Sequence, residues 1–432
     1  MDIFVIQGGT RLEGSVWTSG AKNAVLPILT AALLTDETLA VENVPDLSDV
    51  STMLGILEEL GAQVRRPRPG RVEIRVARTP DPIAPWGLVR KMRASFEVLG
   101  PLLARCGRAQ VSYPGGCVLG VRPVDIHLKG LEGLGARLKT EAGYVEAAAP
   151  SGGLRGREIY LGTAFGSSVG ATRNVMMAAV FARGTTVLQC AACEPEVIDL
   201  ASCLVAMGAK IRGAGSPTIE IEGVERLHGA EHKVIPDRIE AGTYLAAGVV
   251  TGGRVRVEGC RPDHLTSFLD ALHHAGAPIE RGPDWLESQP RDLAERLRAT
   301  DLTTQPYPGF PTDLQAQWVT LMTLADGISL VTERIFADRY MHLAELMRLG
   351  AHVRRQGSTA VVAGIRELSG ASVMASDLRA SAALVLAGLV ARGETEVHRV
   401  YHIDRGYERI EERLAKLGAR IRRANASESA EA

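Results

Sequence analysis

A cysteine lies five residues before an arginine in a segment rich in glycine and proline, residues 113–123. The Pro-Gly-Gly run before Cys117 excludes a helix interior or a central strand and predicts a loop. A guanidinium such as that of Arg122 favours the thiolate of a nearby cysteine, which is its reactive form. An isolated Gly-Gly-Cys is more often a surface turn, so the case for chemistry at Cys117 depends on the rest of the chain.

Cations near predicted helix starts and in short loops are a second chemical signal. The positive end of a helix dipole disfavours a cation unless an anion also binds there. The alternative is that Asp, Ser and Thr merely cap these helices, which is common. The cations favour a site for a phosphorylated ligand, and they are Lys22, Arg93, Arg122, Arg238, Arg339, Arg379 and Arg405.

The elements that must position these residues repeat along the chain. A helix-ending motif such as Leu60-Gly61-Ala62 recurs with glycines at 61, 135, 208, 276, 350 and 418, which are 74, 73, 68, 74 and 68 residues apart. Each glycine follows an amphipathic helix and precedes apolar residues, which predicts a left-handed helix cap and then a strand. The chain is therefore predicted to contain six copies of one unit.

A polar or charged helix start precedes each glycine by about forty residues. A short strand, such as residues 185–188, separates the two helices of each copy. The unit is therefore predicted to be strand, helix, strand, helix, strand, with one more strand possible. The six starts contain Lys22, Arg93, Ser168, Asp237, Asp313 and Arg379.

Several long motifs resemble those of the enolpyruvyl transferases. They are residues 19–24 (SGAKNA), 114–117 (PGGC), 122–125 (RPVD), 310–317 (FPTDLQAQ), 377–381 (DLRAS) and 401–408 (YHIDRGYE). The resemblance extends to about Arg423. It implies an α/β protein of two inside-out barrel domains, each of three β-α-β-α-β-β units, with a cleft between them. The implied domains are 22–235, which carries the Cys117 loop, and 1–21 plus 236–423, followed by a disordered tail at 424–432.

The activity that the resemblance implies is enolpyruvyl transfer from phosphoenolpyruvate to the 3-hydroxyl of UDP-N-acetylglucosamine, with release of phosphate. This reaction is the first committed step of peptidoglycan synthesis and a target of fosfomycin. By resemblance, Cys117 donates a proton, Asp313 orients and deprotonates the sugar hydroxyl, and Lys22 and Arg405 complete the catalytic set. The implied phosphoenolpyruvate ligands are Lys22, Asn23, Arg122, Arg339, Arg379 and Arg405.

The resemblance also implies a binding set for the nucleotide sugar. It consists of Arg93, Arg122, Pro123, Val124, Asp125, Ile126, His127, Ser167, Ser168, Val169, Gly170, Asp313 and Ile335. Two positions depart from the family pattern. Gly166 stands where the family usually has a lysine, and Cys193 where it usually has an arginine. The lysine would face the diphosphate, so its loss bears on nucleotide affinity.

Two rival interpretations stay open. An acceptor such as shikimate 3-phosphate fits the same architecture, although the cysteine loop and residues 310–317 argue against it. A non-catalytic or regulatory paralogue that binds the nucleotide sugar is the other rival.

Composition limits the class of protein and its partners. The composition, with 46% hydrophobic and 23% charged residues, is typical of a globular protein. The length of 432 residues predicts two or three domains. The formal net charge of −1 argues against nucleic acid or an anionic membrane as a partner. With no apolar run long enough to span a bilayer and no signal-peptide pattern, we expect a cytoplasmic protein.

Cysteine and histidine spacing does not favour a metal. The Cys190-Ala-Ala-Cys193 pair has no second pair to complete a zinc site, and His228 and His232 have no third candidate ligand nearby. We therefore predict no metal, no cofactor and free thiols.

Overall fold

The structure is a computed structural model that describes residues 2–84, 86–89, 92–113 and 124–425, without the side chains of Leu88 and Arg93. The chain divides into two compact units. One is Gly20–Ile235, and the other combines Met1–Ser19 with Pro236–Ala432.

Strands and helices are numbered along the chain. The strands are β1 (Asp2–Gln7), β2 (Glu13–Trp17), β3 (Thr38–Glu42), β4 (Gln63–Arg68), β5 (Arg71–Arg75), β6 (Ile83–Ala84), β7 (Arg108–Ser112), β8 (Arg137–Glu141), β9 (Tyr144–Ala148), β10 (Glu158–Tyr160), β11 (Thr185–Gln189), β12 (Lys210–Arg212), β13 (Thr218–Glu222), β14 (Ala230–Lys233), β15 (Arg254–Glu258), β16 (Ile279–Arg281), β17 (Trp285–Ser288), β18 (Leu302–Thr303), β19 (Ile328–Thr332), β20 (His352–Gln356), β21 (Thr359–Ala363), β22 (Ser372–Met374), β23 (Glu394–His398) and β24 (Arg420–Asn425).

The α-helices are α1 (Lys22–Ala31), α2 (Ser48–Glu59), α3 (Trp86–Val89), α4 (Leu99–Cys106), α5 (Asp125–Gly133), α6 (Val169–Ala179), α7 (Pro195–Ala206), α8 (Arg238–Thr251), α9 (Thr266–His274), α10 (Gln315–Thr323), α11 (His342–Arg348), α12 (Leu378–Val390) and α13 (Ile410–Lys416). Short 3-10 helices cover Ala32–Leu34, Arg93–Val98, Pro262–Leu265, Thr312–Leu314 and Val400–Arg405.

The predicted repeat is confirmed, including its additional strand. Strands β10 and β11 are parallel, β13 is antiparallel to β11, and β12 completes the sheet in the order β10-β11-β13-β12. The same arrangement recurs in the orders β6-β7-β9-β8, β14-β3-β5-β4, β2-β15-β17-β16, β18-β19-β21-β20 and β22-β23-β1-β24. Each of the two compact units therefore holds three four-stranded sheets.

Segments distant in sequence complete three of these sheets. Strand β14, near the end of the unit Gly20–Ile235, pairs in parallel with β3 near its start. In the other unit, β2 pairs in parallel with β15, and β1 lies between β23 and β24. The first nineteen residues therefore belong to the same compact unit as residues 236–432.

The most buried helices lie in the core of each unit, and one face of the sheets packs against them. In β13 buried and exposed residues alternate, as in a strand with one face in water. By contrast, every residue of α8 and α10 is buried, and so are the first twelve of α12. A helix that is buried all round belongs in a core.

The six repeated glycines end helices as predicted. Their φ angles lie between 83° and 104°, the left-handed region that glycine adopts without steric cost. At Gly208, for example, the glycine N–H donates to the Val205 carbonyl and the Ala209 N–H to the Leu204 carbonyl, both at 2.9 Å. These bonds satisfy carbonyls at the helix end and turn the chain into the next strand.

The predicted tail begins too early. Ala424 and Asn425 continue β24, where they are paired with Ile3 and Asp2 of β1. Ala424 is buried against Ile3 and Val5. Pairing with β1 therefore continues β24 two residues beyond the predicted start of the tail. Residues 426–432 lie outside the described residues. Across the described ranges, the helices are all too short or too polar to cross a bilayer.

Candidate active site

Two buried arginines converge on one carboxylate in the unit that contains α10 and α12. Arg339 Nη1 is 2.7 Å from Asp313 Oδ1, and Arg379 Nη2 is 3.0 Å from Asp313 Oδ2. The side chains of Arg339 and Arg379 are only 7% and 3% exposed, whereas that of Asp313 is 23% exposed. The cluster therefore presents its carboxylate toward solvent and buries its guanidinium groups.

Helix starts position two members of this cluster. Asp377 caps α12 by accepting hydrogen bonds from the N–H groups of Arg379 and Ala380, which fixes Arg379 in the first turn. Asp313 is predicted to lie at a helix start, but it occupies the 3-10 helix Thr312–Leu314 immediately before α10. Pro311, in an extended conformation, precedes this helix and sets its beginning.

The Arg379 charge is held inside the protein. Burial alone would lower the pKa of Arg379, but the charge of Asp313, with contributions from Tyr407 and Asp237, raises it above its ordinary value. Its Nη1 is buried and has no hydrogen-bond partner among the described residues. A buried donor of this kind is costly, so a second acceptor at the cluster would stabilise it.

Arg405, the other predicted cation of this unit, ends the 3-10 helix Val400–Arg405 and is partly buried. Burial, and next the charge of Arg405, lower the pKa of His402, which stacks on Tyr401. His342, three residues after Arg339, is also buried, and burial lowers its pKa to about 4. Both imidazoles are therefore neutral at neutral pH, and the arginines carry the positive charge here.

In the unit Gly20–Ile235, Lys22 is the first residue of α1. Its Nζ is 2.8 Å from Asp49 Oδ2, and both side chains are largely buried. The Asp49 carboxylate offsets the unfavourable interaction between the cation and the helix dipole. The backbone carbonyl of the adjacent Asn23 accepts a hydrogen bond from Arg173, which also pairs with the buried Glu97.

Two members of the predicted nucleotide set come together although they are 43 positions apart in the numbering. A Cβ on Gly170 would lie 3.1 Å from the ring of the buried His127, so glycine allows α6 to pack against this histidine. Asn174 Nδ2 is 3.1 Å from His127 Nδ1, and Phe96 meets the same ring edge to face. The imidazole orientation is therefore fixed within the unit.

Six other members of the set lie at the starts of α5 and α6. Ser168 caps α6, where its hydroxyl accepts a hydrogen bond from the Ala171 N–H, and Ser167 and Val169 beside it are partly exposed. Val124 is buried, Asp125 is the exposed first residue of α5, and Ile126 is partly buried. Arg93 begins a 3-10 helix. Cys117, Arg122 and Pro123 lie outside the described residues, so their predicted roles stay predictions.

Gly166 closes a tight turn with Thr163. The two residues exchange backbone hydrogen bonds, and Gly166 has a φ of 98°. Any other residue is strained in this conformation. Glycine therefore fits the backbone of this turn, in which the lysine that is usual in the family would be strained.

Glu333, which no sequence motif indicated, is a fully buried carboxylate between β19 and the segment that carries Ile335 and Arg339. The available signal was a charged residue at the end of the apolar strand β19, which requires buried partners. Across the described ranges, His, Cys, Asp and Glu side chains form no group of three that could hold a metal ion.

Six strand–helix repeats, several of which have a cation such as Lys22, Arg238 or Arg379 at a helix start, define an α/β repeat protein with a candidate site for anions. Residues 6–414 match the family described as EPSP synthase (3-phosphoshikimate 1-carboxyvinyltransferase). The chain belongs to that family and is a transferase of the enolpyruvyl, or carboxyvinyl, type.

Individual relatives cover nearly the whole chain. UDP-N-acetylglucosamine 1-carboxyvinyltransferase of Anaeromyxobacter sp. (strain Fw109-5) is 56% identical over 99% of this chain and 100% of that protein. The solved enolpyruvyl transferase NikO from Streptomyces tendae is 27% identical, with a TM-score of 0.88 over 98% of this chain and 99% of that structure. EPSP synthase from Acinetobacter baumannii has a TM-score of 0.74 over 98% and 100%, and at 19% identity it shows the fold alone.

Proposed function

We propose that this protein transfers the enolpyruvyl group of phosphoenolpyruvate to the 3-hydroxyl of UDP-N-acetylglucosamine and releases phosphate. The observation that carries the proposal is the 56% identity over 99% of the chain to the Anaeromyxobacter relative of that name. The proposed role is in peptidoglycan precursor synthesis, in the cytoplasm.

Arg339 and Arg379 are proposed to bind the carboxylate of phosphoenolpyruvate. Two guanidinium groups that already converge on the Asp313 carboxylate have the geometry to bind another one, because arginine donates in a planar fork. A substrate carboxylate then competes with Asp313 for the same N–H groups. Substrate binding would thus loosen Asp313 and leave an oxygen of it available to the sugar.

Asp313 is proposed to orient the sugar hydroxyl and accept its proton as the oxygen attacks C2 of phosphoenolpyruvate. C3 gains a proton, for which we propose Cys117 as the donor, and a tetrahedral ketal forms. Loss of a proton from C3 and cleavage of the bond from C2 to the phosphate oxygen then give the enolpyruvyl ether and phosphate. Atoms and charge balance without a metal, a redox partner or a further reactant.

The other proposed roles follow the family motifs. Lys22, Arg122 and Arg405 are assigned to the phosphate of phosphoenolpyruvate, and Asn23 is assigned to phosphoenolpyruvate as a further ligand. The nucleotide sugar is assigned to Asp313, Ile335, the residues at the starts of α5 and α6, and Arg93, Arg122 and Pro123. Fosfomycin, an epoxide that resembles phosphoenolpyruvate, is expected to alkylate the Cys117 thiolate.

Shikimate 3-phosphate is the second candidate acceptor, because the matching family is described by the 3-phosphoshikimate enzyme. Phosphate release from phosphoenolpyruvate should be measured with each acceptor separately and with neither. We expect release with UDP-N-acetylglucosamine only. Release with shikimate 3-phosphate alone would favour the second acceptor, and binding of the nucleotide sugar without release would favour a non-catalytic paralogue.

A further inference from the structure

Glu333 is a fully buried carboxylate whose two oxygens have different partners. Oε1 accepts hydrogen bonds from the Thr304 hydroxyl at 2.7 Å and from the backbone N–H groups of Ile335 and Phe336 at 2.7 and 3.0 Å. Oε2 accepts a hydrogen bond from the Thr312 hydroxyl at 2.8 Å. One buried side chain thus connects the end of β18, the loop after β19 and the 3-10 helix that carries Asp313.

The Thr312 hydroxyl continues this connection to Arg339, whose Nη1 donates to Thr312 Oγ1 at 3.0 Å and to Asp313 Oδ1 at 2.7 Å. A threonine hydroxyl has one proton to donate and lone pairs to accept. The Thr312 hydroxyl donates its one hydrogen to Glu333 Oε2, so the lone pairs of Oγ1 are directed toward Arg339. A guanidinium can only donate, so the bond from Arg339 fixes the direction of both hydrogen bonds at Thr312.

We infer that Glu333 and Thr312 are positioning residues that hold the Arg339 guanidinium in the orientation in which it meets Asp313 and a substrate carboxylate. The identity of that carboxylate as phosphoenolpyruvate rests on the proposed function. Neither residue is expected to touch the reacting atoms. Their effect on the reaction is exerted through Arg339.

The test compares three threonine variants. Thr312→Val removes the hydroxyl at nearly constant volume, and Thr312→Ser restores it. Thr304→Val is the matched structural control, because it removes a different hydrogen bond to Glu333 and leaves the Glu333–Thr312–Arg339 connection in place. Each variant should be measured for thermal stability and for the KM of both substrates.

Thr312→Val should raise the KM for phosphoenolpyruvate by about fivefold, the value of one hydrogen bond, and leave the KM for the nucleotide sugar unchanged. Thr312→Ser should match the wild type. Thr304→Val should lower the melting temperature without changing either KM. If Thr312→Val and Thr304→Val differ from the wild type in melting temperature alone, the residues are merely structural and the inference is wrong.

A crystal structure of Thr312→Val gives a result that does not depend on the substrate. Arg339 should turn away from Asp313 in this variant and keep its place in Thr312→Ser. An unchanged bond between Arg339 and Asp313 in Thr312→Val would overturn the inference. If the wild type releases no phosphate with the two proposed substrates, the proposed function fails, and the crystal structures still decide the role of Thr312.

Discussion

At the scale of single residues, Asp313 combines two roles. It is the proposed base for the sugar hydroxyl, and it is also the carboxylate between Arg339 and Arg379. A substrate carboxylate and Asp313 compete for the same guanidinium groups. Binding one substrate would therefore prepare the residue that acts on the other.

Asp313→Asn should lower kcat by about 10²- to 10⁴-fold, since an amide cannot accept the hydroxyl proton. The KM for phosphoenolpyruvate should stay the same or fall, because the neutral amide competes less well for the arginines. Steady-state kinetics check both values. Asp338→Asn is the control, since Asp338 is exposed and pairs with Arg355. Near-normal turnover of the Asp313 variant would contradict its role as a base.

Cys117 allows acid catalysis to be separated from covalent chemistry. Aspartic acid can donate a proton but is a poor nucleophile toward an epoxide, whereas serine is a much weaker acid. Cys117→Asp should therefore keep substantial turnover and resist alkylation by fosfomycin, and Cys117→Ser should lose most of its turnover. Rates and mass spectrometry after fosfomycin treatment measure these properties. An inactive Asp variant beside an active Ser variant would exclude proton donation by Cys117.

At the scale of elements, local rules explain what could be predicted. Glycine after an amphipathic helix predicted six left-handed caps, and capping residues such as Asp237 and Ser168 lie where helices start. What could not be predicted depends on tertiary contacts. The convergence of Arg339 and Arg379 on Asp313 joins residues up to 66 positions apart, and the burial of Glu333 depends on three separate segments.

The turn at Gly166 adds a cost in stability to any gain in nucleotide binding from a lysine at this position. On sequence alone, Gly166→Lys is expected to strengthen nucleotide binding by up to about fivefold through one exposed ion contact. The φ of 98° adds a conformational cost of about 1–2 kcal/mol for any side chain. Gly166→Lys should therefore lower the free energy of unfolding.

Gly166→Ala is the matched control, because it carries the same backbone cost without the charge. Both variants should be destabilised alike in thermal denaturation, and the ratio of their KM values for the nucleotide sugar isolates the contribution of the ammonium group. A lysine variant as stable as the wild type would show that the turn adapts.

At the scale of the whole molecule, a buried polar cluster attaches the first nineteen residues to their unit. The Ser19 N–H donates to Glu240 Oε2 at 2.6 Å, and Arg413 donates to Glu240 Oε1 at 3.1 Å and to the Ser19 hydroxyl at 2.7 Å. Burial raises the pKa of Glu240 from 4.5 to about 7, although Arg413 opposes this shift. The cluster therefore couples folding to pH.

The folded state holds the Glu240 proton more tightly than the unfolded state does. This contribution is complete below about pH 4.5 and is lost as the pH rises through about 7. Between about pH 5 and pH 8 the wild type should lose about 2 kcal/mol of unfolding free energy relative to Glu240→Gln. Urea denaturation at several pH values measures this difference.

Glu412→Gln is the control, because Glu412 is exposed and lies on the same helix as Arg413. Its pH profile should be parallel to that of the wild type. A Glu240→Gln profile that is also parallel would mean that Glu240 has an ordinary pKa in the folded protein.

The proposed enolpyruvyl transfer by addition and elimination can be tested on the product formed in D₂O. Protonation of C3 gives a methyl group, and loss of a proton from it restores the double bond, so solvent deuterium must enter the vinyl carbon. Proton NMR of the product from phosphoenolpyruvate and UDP-N-acetylglucosamine should show an enolpyruvyl ether at the sugar 3-oxygen with deuterium at that carbon. No transfer to this sugar, or transfer of an enolpyruvyl group free of deuterium, would contradict the proposed mechanism.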